Sequence, residues 1–320
     1  MAATIVIPNY NGIKYIDACL ESVYAGTVIP KVIVVDNGSC DGSIELVEEK
    51  YPQARAIRFE DNKGFCTAVN AGIKAADTEY VILLNNDTQV ERHFTEALEA
   101  AIRKRKDAFS VSAKMLSMKE PELIDGAGDL YCALGWAFSI GKGKDRKSFG
   151  KEAEIFASCA GAAIYRKEIF DSIGYFDENH FAYLEDIDIG YRAKTAGYRN
   201  YFSPEAVVYH AGSGVSGSRY NEFKVKLSSR NSIYLVYKNM PFVQIVLNLP
   251  FLIPGFFVKF LFFIKKGLGK TYFLGLMEGF KLSLSGKGRE KKVKFKLKNL
   301  VNYMKIQLEL WINLLRRIIG

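Results

Sequence analysis

The chain has 320 residues, 49% of them hydrophobic and 25% charged, which allows one large domain with an appendage and excludes a disordered chain. The net charge of +9 is uneven, because residues 221–320 hold 19 Lys and Arg against 4 Asp and Glu, whereas residues 1–220 have an acidic excess. The five scattered cysteines form no CxxC pair, which argues against a disulfide framework and a thiolate zinc site and favours a reducing compartment.

Short apolar strands alternate with amphipathic helices over the first hundred residues. The predicted strands are 3–8, 31–39, 54–60 and 79–87, and the predicted helices are 12–25, 41–51, 64–76 and 91–105. The first strand begins so early that no signal peptide is expected. This alternation predicts a mostly parallel central sheet covered by helices on both faces, with a ligand crevice at the carboxyl ends of the strands.

The region that follows is less regular. Residues 105–180 are rich in glycine and are expected to contain mobile loops over the crevice, apart from a buried strand and a short helix within 157–170. A helix is predicted over 185–199, ending at Gly197, and a last strand over 201–210. A loop of glycine and serine, residues 211–218, comes next.

Residues 241–264 form a long apolar segment with Lys259 as its one charge. Pro250, Pro254 and Gly255 are expected to break its middle, and lysines or arginines flank both sides, which places both flanks in the cytoplasm. These features predict a re-entrant or interfacial hairpin, with a buried hairpin of a soluble protein as the alternative.

The last segment repeats apolar residues at helical spacing. A basic run at 286–298 is interpreted as a solvated linker, and an amphipathic helix follows over 299–319. Its apolar positions are Leu300, Met304, Leu308, Trp311, Leu315 and Ile318. The helix could lie on a bilayer or pack on the globular part. A basic region this apolar indicates an anionic membrane surface as the partner, and no nucleic acid.

An ordered set of motifs runs from about residue 3 to about residue 240: IVIPNYNG, VIVVDNGSCDGS, DNKGFCTAVNAGI, VILLNNDT, a long stretch ending in LEDIDIGYRAKTAGYR, and VVYHAGSG. The set resembles glycosyltransferase family 2, and more narrowly its rhamnosyltransferase-like branch. The resemblance implies a GT-A catalytic domain over 1–240, followed by a membrane-associating region over 241–320. It also implies a nucleotide-sugar donor, a divalent cation (Mg²⁺ or Mn²⁺) and inversion at the anomeric carbon.

The resemblance assigns the reacting groups. Asp87 corresponds to the last acid of the metal-binding Asp-x-Asp motif, and His210 to a histidine that completes the metal site. Asn85 replaces the first acid of that motif and is a possible weaker ligand. Asp186 corresponds to the base that deprotonates the acceptor hydroxyl. From the residues alone, Asp87 could instead cap a loop, His210 could be structural, and Asp186 could serve only the helix dipole.

Nearby acids and strand-end residues complete the predicted site. Spacings of three and four place Glu185, Asp188 and Arg192 on one helix face, as a structural ion pair of Asp188 and Arg192 with Glu185 near it. The resemblance makes Asp36 the acceptor of the pyrimidine imide N–H. The remaining nucleotide-sugar-binding residues are expected to be Pro8, Tyr10, Asn11, Asn62, Gly64, Asn70 and Asn86.

These features together predict an inverting, membrane-associated glycosyltransferase. It would transfer one sugar, with L-rhamnose from dTDP-rhamnose as the first candidate, to a lipid-linked or cell-surface glycan at the cytoplasmic face of the membrane, where it is peripheral or re-entrant. A UDP-hexose or UDP-galactofuranose donor is the first alternative, and a non-catalytic glycan-assembly scaffold is the second. The sequence leaves the oligomeric state open.

Overall fold

The computed structural model describes residues 3–212 and 220–319, so most of the predicted glycine and serine loop lies outside the described residues. The predicted strand and helix alternation is confirmed in the first half. The strands there are β1 (Ala3–Asn9), β2 (Lys31–Asn37), β3 (Arg55–Phe59), β4 (Tyr80–Leu84) and β5 (Thr88–Val90). The helices are α1 (Ile16–Tyr24), α2 (Ser43–Lys50), α3 (Phe65–Ala75) and α4 (Phe94–Arg103).

The glycine-rich middle contains more strands than the sequence indicates. The longest of them, β6 (Ala108–Ser117), lies inside the sheet and was not predicted. The others are β7 (Ile124–Gly126), β8 (Asp129–Cys132), β9 (Trp136–Ser139), β10 (Ala153–Ile155) and β11 (Ala162–Arg166). The strand predicted within 157–170 is present as β11, and the expectation of loops was wrong for the other strands of this region.

A short helix, a longer helix and a long strand follow: α5 (Lys167–Ile173), α6 (Glu185–Ala196) and β12 (Arg199–His210). The sheet order is β10-β12-β6-β11-β4-β1-β2-β3, with β5 on β12 and β7 on β6. The block β4-β1-β2-β3 is parallel, β6 and β12 are parallel to each other, and β11 is antiparallel between the two blocks. Buried aliphatic clusters cover both faces of the sheet, as the alternation predicts.

The C-terminal region consists of helices: α7 (Glu222–Asn239), α8 (Phe242–Lys265), α9 (Gly269–Leu284), α10 (Gly286–Glu290) and α11 (Leu300–Ile319). The predicted break at Pro250, Pro254 and Gly255 was wrong, because all three lie inside the single helix α8. The chain reverses after Lys265 instead, where Gly267 has a φ of 72°. In the described part of the chain, one helix is both long enough and apolar enough to cross a membrane, and it is α8.

Helix α8 turns its polar side chains toward the protein. Gln244 hydrogen-bonds to Tyr191 of α6, and Asn248 exchanges two hydrogen bonds with Gln307 of α11 at 2.8 and 2.9 Å. Further along, the carbonyl of Gly255 accepts from Trp136, which leaves the opposite face of the helix to apolar side chains. The first half and the middle of α8 are thus bonded to α6, α11 and β9, while its last turns pack on α7 and α9.

Helix α11 has two apolar faces. Tyr303, Ile306 and Leu310 are buried in a cluster with residues of β8 and α6. The six positions expected from the sequence, Leu308 among them at 57%, are exposed. The helix therefore packs on the globular part with one face and presents a second apolar face outward.

Candidate active site

A cavity of about 940 Å³ opens at the carboxyl ends of β1, β2 and β4 and is closed on the far side by the start of α6. Asp87, His210 and Asp186 all line it, although they are distant in sequence. The turn after β4 places Asp87 there, the end of β12 places His210, and the first turn of α6 places Asp186. This convergence is the arrangement that the sequence predicts.

Asp87 and His210 form one side of the cavity. Nε2 of His210 lies 3.3 Å from Oδ1 of Asp87, and Nδ1 lies 2.7 Å from Oδ2 of Asp125. Burial by itself would lower the pKa of His210, but the hydrogen bonds with Asp125 and Asp87 raise it to about 9. Asp125 fixes the ring through Nδ1 and leaves Nε2 directed at Asp87, which is how a carboxylate orients a metal-binding histidine.

Asp186 faces a second carboxyl group, Asp129 of β8. Burial raises the pKa of Asp186 to about 6, while its hydrogen bonds with the Ile187 N–H, at 2.7 Å, and with Asp129 oppose this increase. Burial and the charge of Asp186 raise the pKa of Asp129 well above its usual range. Near neutral pH the pair therefore holds one proton. Asp129 carries this proton and donates a hydrogen bond to the ionised Asp186.

Asp188, two residues after Asp186 on α6, is buried in an ion network. Arg192 donates to its Oδ2 from Nε and Nη2 at 3.1 and 2.8 Å, which is the pair that the spacing of four predicts. Lys238 of α7 adds a contact of 2.9 Å and also pairs with Asp177 at 2.7 Å. A buried carboxylate with this many partners stabilises the junction of α6 and α7 rather than reacting.

Glu185 does not join that network. In the part of the chain that the structure describes, its Oε2 has no hydrogen-bond partner, and the residue lines the cavity beside Asp186. Burial, followed by the charge of Asp186, raises the pKa of Glu185 to about 8. The charge of Asp188 also contributes to this increase, so Glu185 lies near the Asp188 and Arg192 pair without joining it, and a neutral carboxyl group here avoids an unpaired buried charge.

The turn before α6 is held in a strained conformation. Phe181, Tyr183 and Leu184 all have positive φ, between 63° and 69°. Such values are uncommon for bulky residues and persist only where the surroundings enforce them. Nδ2 of Asn231, a fully buried residue of α7, lies 2.8 to 2.9 Å from the carbonyl oxygens of residues 180, 182 and 183. Asn231 therefore fixes the turn that places Asp186 in the cavity.

Four of the eight predicted nucleotide-sugar-binding residues line the cavity, namely Pro8, Tyr10, Asn62 and Asn86. Asn85, the possible metal ligand, lines it as well. Asn86 donates to Asn9 at 2.8 Å and so joins the loops after β1 and β4. Asn62 accepts from Asn37 at 2.9 Å and joins the loops after β2 and β3. These amide pairs build the wall nearest the parallel strands.

The other four do not line it. Asp36 is buried behind the wall, where its oxygens accept from Asn9 and Ser39 at 3.0 Å, so it supports the loop after β2. Asn11 likewise braces residues 39 and 40. Gly64 is required for space, since an added Cβ would lie 2.6 Å from Phe181. Asn70 binds the backbone of Phe176 and lines a different cavity. The geometry therefore favours a supporting role for these four residues over direct contact with the nucleotide.

Sequence reasoning missed several residues of the site. Asp125 and Asp129 were read only as part of a glycine-rich loop region, and the signal that could have found them is two acids four apart in IDGAGDL. Lys224 lines the cavity from α7. Burial lowers the pKa of its ammonium group, and the charge of Asp87 opposes this decrease. A cation at that position is suited to a diphosphate.

The donor atoms at Asp87 and His210 fit a divalent cation, because a carboxylate and an imidazole with a fixed second nitrogen are ordinary ligands of such ions. Asp129, Asp186 and Cys159 also lie within 4.8 Å of one another. Burial raises the pKa of the Cys159 thiol well above its usual range, which disfavours the thiolate that a metal would require. The two clusters therefore differ: one suits a cation and the other suits proton transfer.

This sheet and this cavity define a glycosyltransferase with the GT-A fold. The chain belongs to glycosyl transferase family 2, whose family model matches residues 4–174.

A relative from Mycobacterium tuberculosis, N-acetylglucosaminyl-diphospho-decaprenol L-rhamnosyltransferase, is 27% identical over 234 residues, covering 64% of this chain and 75% of its own. Among solved structures, S. aureus TarS in complex with UDP-GlcNAc aligns with a TM-score of 0.61 at 17% identity, over 96% of this chain and 90% of that one. The mannosyltransferase PcManGT from Pyrobaculum calidifontis, in complex with GDP-Man and Mn²⁺, aligns with a TM-score of 0.54 at 16% identity, over 96% and 87%. These structures share the fold, and they bind nucleotide sugars.

Proposed function

We propose that the chain is an inverting hexosyltransferase that moves one sugar, with L-rhamnose from dTDP-rhamnose as the first candidate, from a nucleotide donor to a lipid-linked glycan at the cytoplasmic face of the membrane. The observation that carries the proposal is the position of Asp186 in the same cavity as the Asp87 and His210 pair. The relative that acts as a rhamnosyltransferase on a decaprenol-linked substrate supports the choice of sugar and acceptor.

In this proposal Asp87 and His210 hold a Mg²⁺ or Mn²⁺ ion, with Asn85 as a possible further ligand. When bound, the ion neutralises charge on the departing diphosphate. Lys224 contributes a second positive charge on the same wall. The asparagine-lined wall after β1, β2 and β3 binds the nucleoside, and Tyr10, which is exposed at the rim, offers an aromatic face to the base.

Asp186 acts as the general base. The acceptor hydroxyl oxygen attacks the anomeric carbon, its proton passes to Asp186, and the bond from that carbon to the diphosphate oxygen breaks on the opposite side, which inverts the configuration. Asp129 remains protonated and donates its hydrogen bond to Asp186, which keeps the base ionised and oriented. A pKa near 6 leaves Asp186 mostly ionised at neutral pH and basic enough to accept a proton.

The membrane part of the proposal depends on the surface formed by the outward residues of α8, α9 and α11, here called the apolar face. It includes Phe242, 80% exposed, and Ile253 on α8, Phe280 on α9, and Leu308 and Leu315 on α11. The polar residues of α8 point the other way, into the protein. Since Gln244, Asn248 and Gly255 bond one side of α8 to the protein, the helix is expected to lie in the membrane interface rather than cross it alone.

The test is transfer by the purified full chain, assayed with a panel of dTDP- and UDP-sugars and a polyprenyl-diphosphate-linked acceptor. Asp186→Asn is expected to lower kcat by about 10²-fold to 10⁴-fold, because general base catalysis is lost. Asp171→Asn, an exposed position on α5, is the control. Transfer by Asp186→Asn at the wild-type rate contradicts the base assignment, and a fully inactive wild type across the panel favours the scaffold alternative.

A further inference from the structure

Among the residues that the structure describes, a second cavity, of about 1280 Å³, shares no lining residue with the active site. It lies between α3, α5, the end of α6 and the segment 287–299, and we call it the lysine cavity. Six lysines of that segment line it: Lys287, Lys291, Lys292, Lys294, Lys296 and Lys298. Lys63 and Lys74 line it from the side of α3. So many cations around one concave surface indicate an anionic ligand.

The acids of this cavity do not balance its lysines. Asp177 is already paired with Lys238 at 2.7 Å, and Glu178 accepts from Asn70 at 3.2 Å. Glu290 is the third acid of the lining. Within residues 3–212 and 220–319, no ion pair joins Lys294, Lys296 or Lys298 to a carboxylate. The cavity therefore keeps an excess of positive charge that a ligand can neutralise.

The segment that carries these lysines alternates in chemistry. Residues 292, 294, 296 and 298 are all Lys, and the residues between them are Val293, Phe295 and Leu297. Lys296 is extended, with φ −123° and ψ 126°. Leu297–Asn299 form a short 3-10 helix, and Val293 lines the cavity with the lysines, whereas Phe295 and Leu297 do not line it. Phe295 and Leu297 are 49% and 75% exposed.

Exposed apolar side chains next to a cationic cavity are typical of a membrane interface. The segment leads directly into α11, whose exposed apolar face begins at Leu300 and Val301. A soluble anion would explain the lysines but not the exposed Phe295 and Leu297, which gain by entering the acyl region beside a headgroup. The combination favours a ligand that is both anionic and embedded in the bilayer.

We propose that the lysine cavity binds the phosphate headgroups of anionic phospholipids. This inference rests on the proposed membrane contact of the apolar face, and it adds a specific site and a lipid preference to that contact. The cavity would hold the enzyme on anionic regions of the leaflet and fix its rotation about the membrane normal, because its lysines are at one end of α11 only.

The experiment is flotation of the full chain, synthesised in the presence of vesicles made of neutral phosphatidylcholine or of phosphatidylcholine with phosphatidylglycerol. The test variant is Lys294→Gln/Lys296→Gln/Lys298→Gln. The control is Lys106→Gln/Lys119→Gln/Lys151→Gln, which removes the same amount of charge. These three lysines are exposed and lie outside both cavities. Each lysine close to an anionic surface contributes roughly a fivefold gain in binding.

We expect partitioning of the test variant onto anionic vesicles to fall by about tenfold or more, with the control near wild type and all three proteins equal on neutral vesicles. Added salt should weaken wild-type binding to anionic vesicles most strongly. If the test variant and the control behave alike on anionic vesicles, the inference is overturned while the membrane proposal stands. A wild type that binds neither vesicle overturns both.

A calorimetric titration with pyrophosphate, done in detergent with a chelator and no vesicles, separates a lipid headgroup from a soluble phosphate ligand. Weak binding that is equal in wild type and the test variant supports a headgroup site. Tight binding that the test variant loses would instead assign the cavity to a soluble diphosphate and would refute the lipid assignment.

Discussion

Asp125 lies behind His210, with its Oδ2 2.7 Å from Nδ1 of the imidazole, and it thereby decides which nitrogen faces Asp87. Lys142 holds the other carboxylate oxygen at 2.5 Å. Burial alone would raise the pKa of Asp125, but the hydrogen bonds from His210 and Lys142 lower it to about 2, so it is ionised across the working range. The imidazole is therefore oriented by a permanent charge.

The first prediction follows from this pair. Asp125→Asn is expected to weaken Mn²⁺ binding by about 10-fold to 100-fold, because the ring loses the carboxylate that orients it and raises its basicity. Titration of the full chain with Mn²⁺, followed by electron paramagnetic resonance, measures the change. Asp77→Asn, an exposed surface position paired with Lys31, is the control. Unchanged Mn²⁺ affinity in Asp125→Asn would contradict the role of the Asp125 carboxylate in orienting the His210 ring for a metal.

The second prediction concerns the carboxyl pair. Activity is expected to fall as the pH decreases through about 6, because Asp186 then gains a proton and can no longer accept one. Asp129→Leu removes the hydrogen-bond donor that stabilises ionised Asp186, so the acidic limb of kcat/KM should move to higher pH. Asp129→Asn keeps a donor and should restore the limb toward its wild-type position. Coincident profiles for all three proteins would mean that Asp129 does not act on the base.

The third prediction tests the clamp on the strained turn. Asn231→Ala should lower kcat strongly and reduce stability by about 1–3 kcal/mol, because three carbonyl groups lose a buried donor. The donor KM should change little, since the asparagine-lined wall is separate. Asn302→Ala removes a comparable bond, to the Thr195 carbonyl at the other end of α6, and should affect stability without the same loss of kcat. Equal kcat losses in both variants would argue against a local role.

The fourth prediction addresses the apolar face. Ile253→Lys with Phe257→Lys places two charges on the outward side of α8 and should release the protein from neutral vesicles without lowering its melting temperature in detergent, since both side chains are exposed. Asn248→Ala, on the inward side, should do the reverse, because Gln307 loses its partner. Retention of the Lys variant on vesicles would contradict the proposed orientation.

The parallel half of the sheet could be predicted because its strands and helices are specified locally, by apolar runs that end in polar turns. Strand β6 escaped prediction because Ser110 and Ser112 interrupt its apolar pattern. In the folded chain the hydroxyl of Ser110 is buried and bonds to Ser158 and Asn200 at 2.8 Å. Partners 48 and 90 residues away cannot be inferred from a local pattern.

The continuity of α8 through its prolines could not be predicted for a related reason. Each removes one helix hydrogen bond, which in isolation favours a break. Both Pro250 and Pro254 lie on the exposed side, while Asn248, Leu252 and Gly255 pack on the protein and hold the helix together. The ion pair of α6 was predicted more successfully, since Asp188 and Arg192 are four apart on one helix. The partner of Asp186 comes from β8, and only the fold reveals it.

The attachment of α11 to α6 has a consequence for how the enzyme is made. Asn302 donates to the Thr195 carbonyl across a sequence separation of 107 residues, and Glu309 pairs with Lys194. At about 5–20 residues per second, a ribosome needs several seconds or more to produce that second helix after the first has emerged. The nascent chain thus passes through an interval in which the parallel half of the sheet can already fold while α6, which carries the proposed base, still lacks its support, so catalytic competence is expected to arrive late in synthesis.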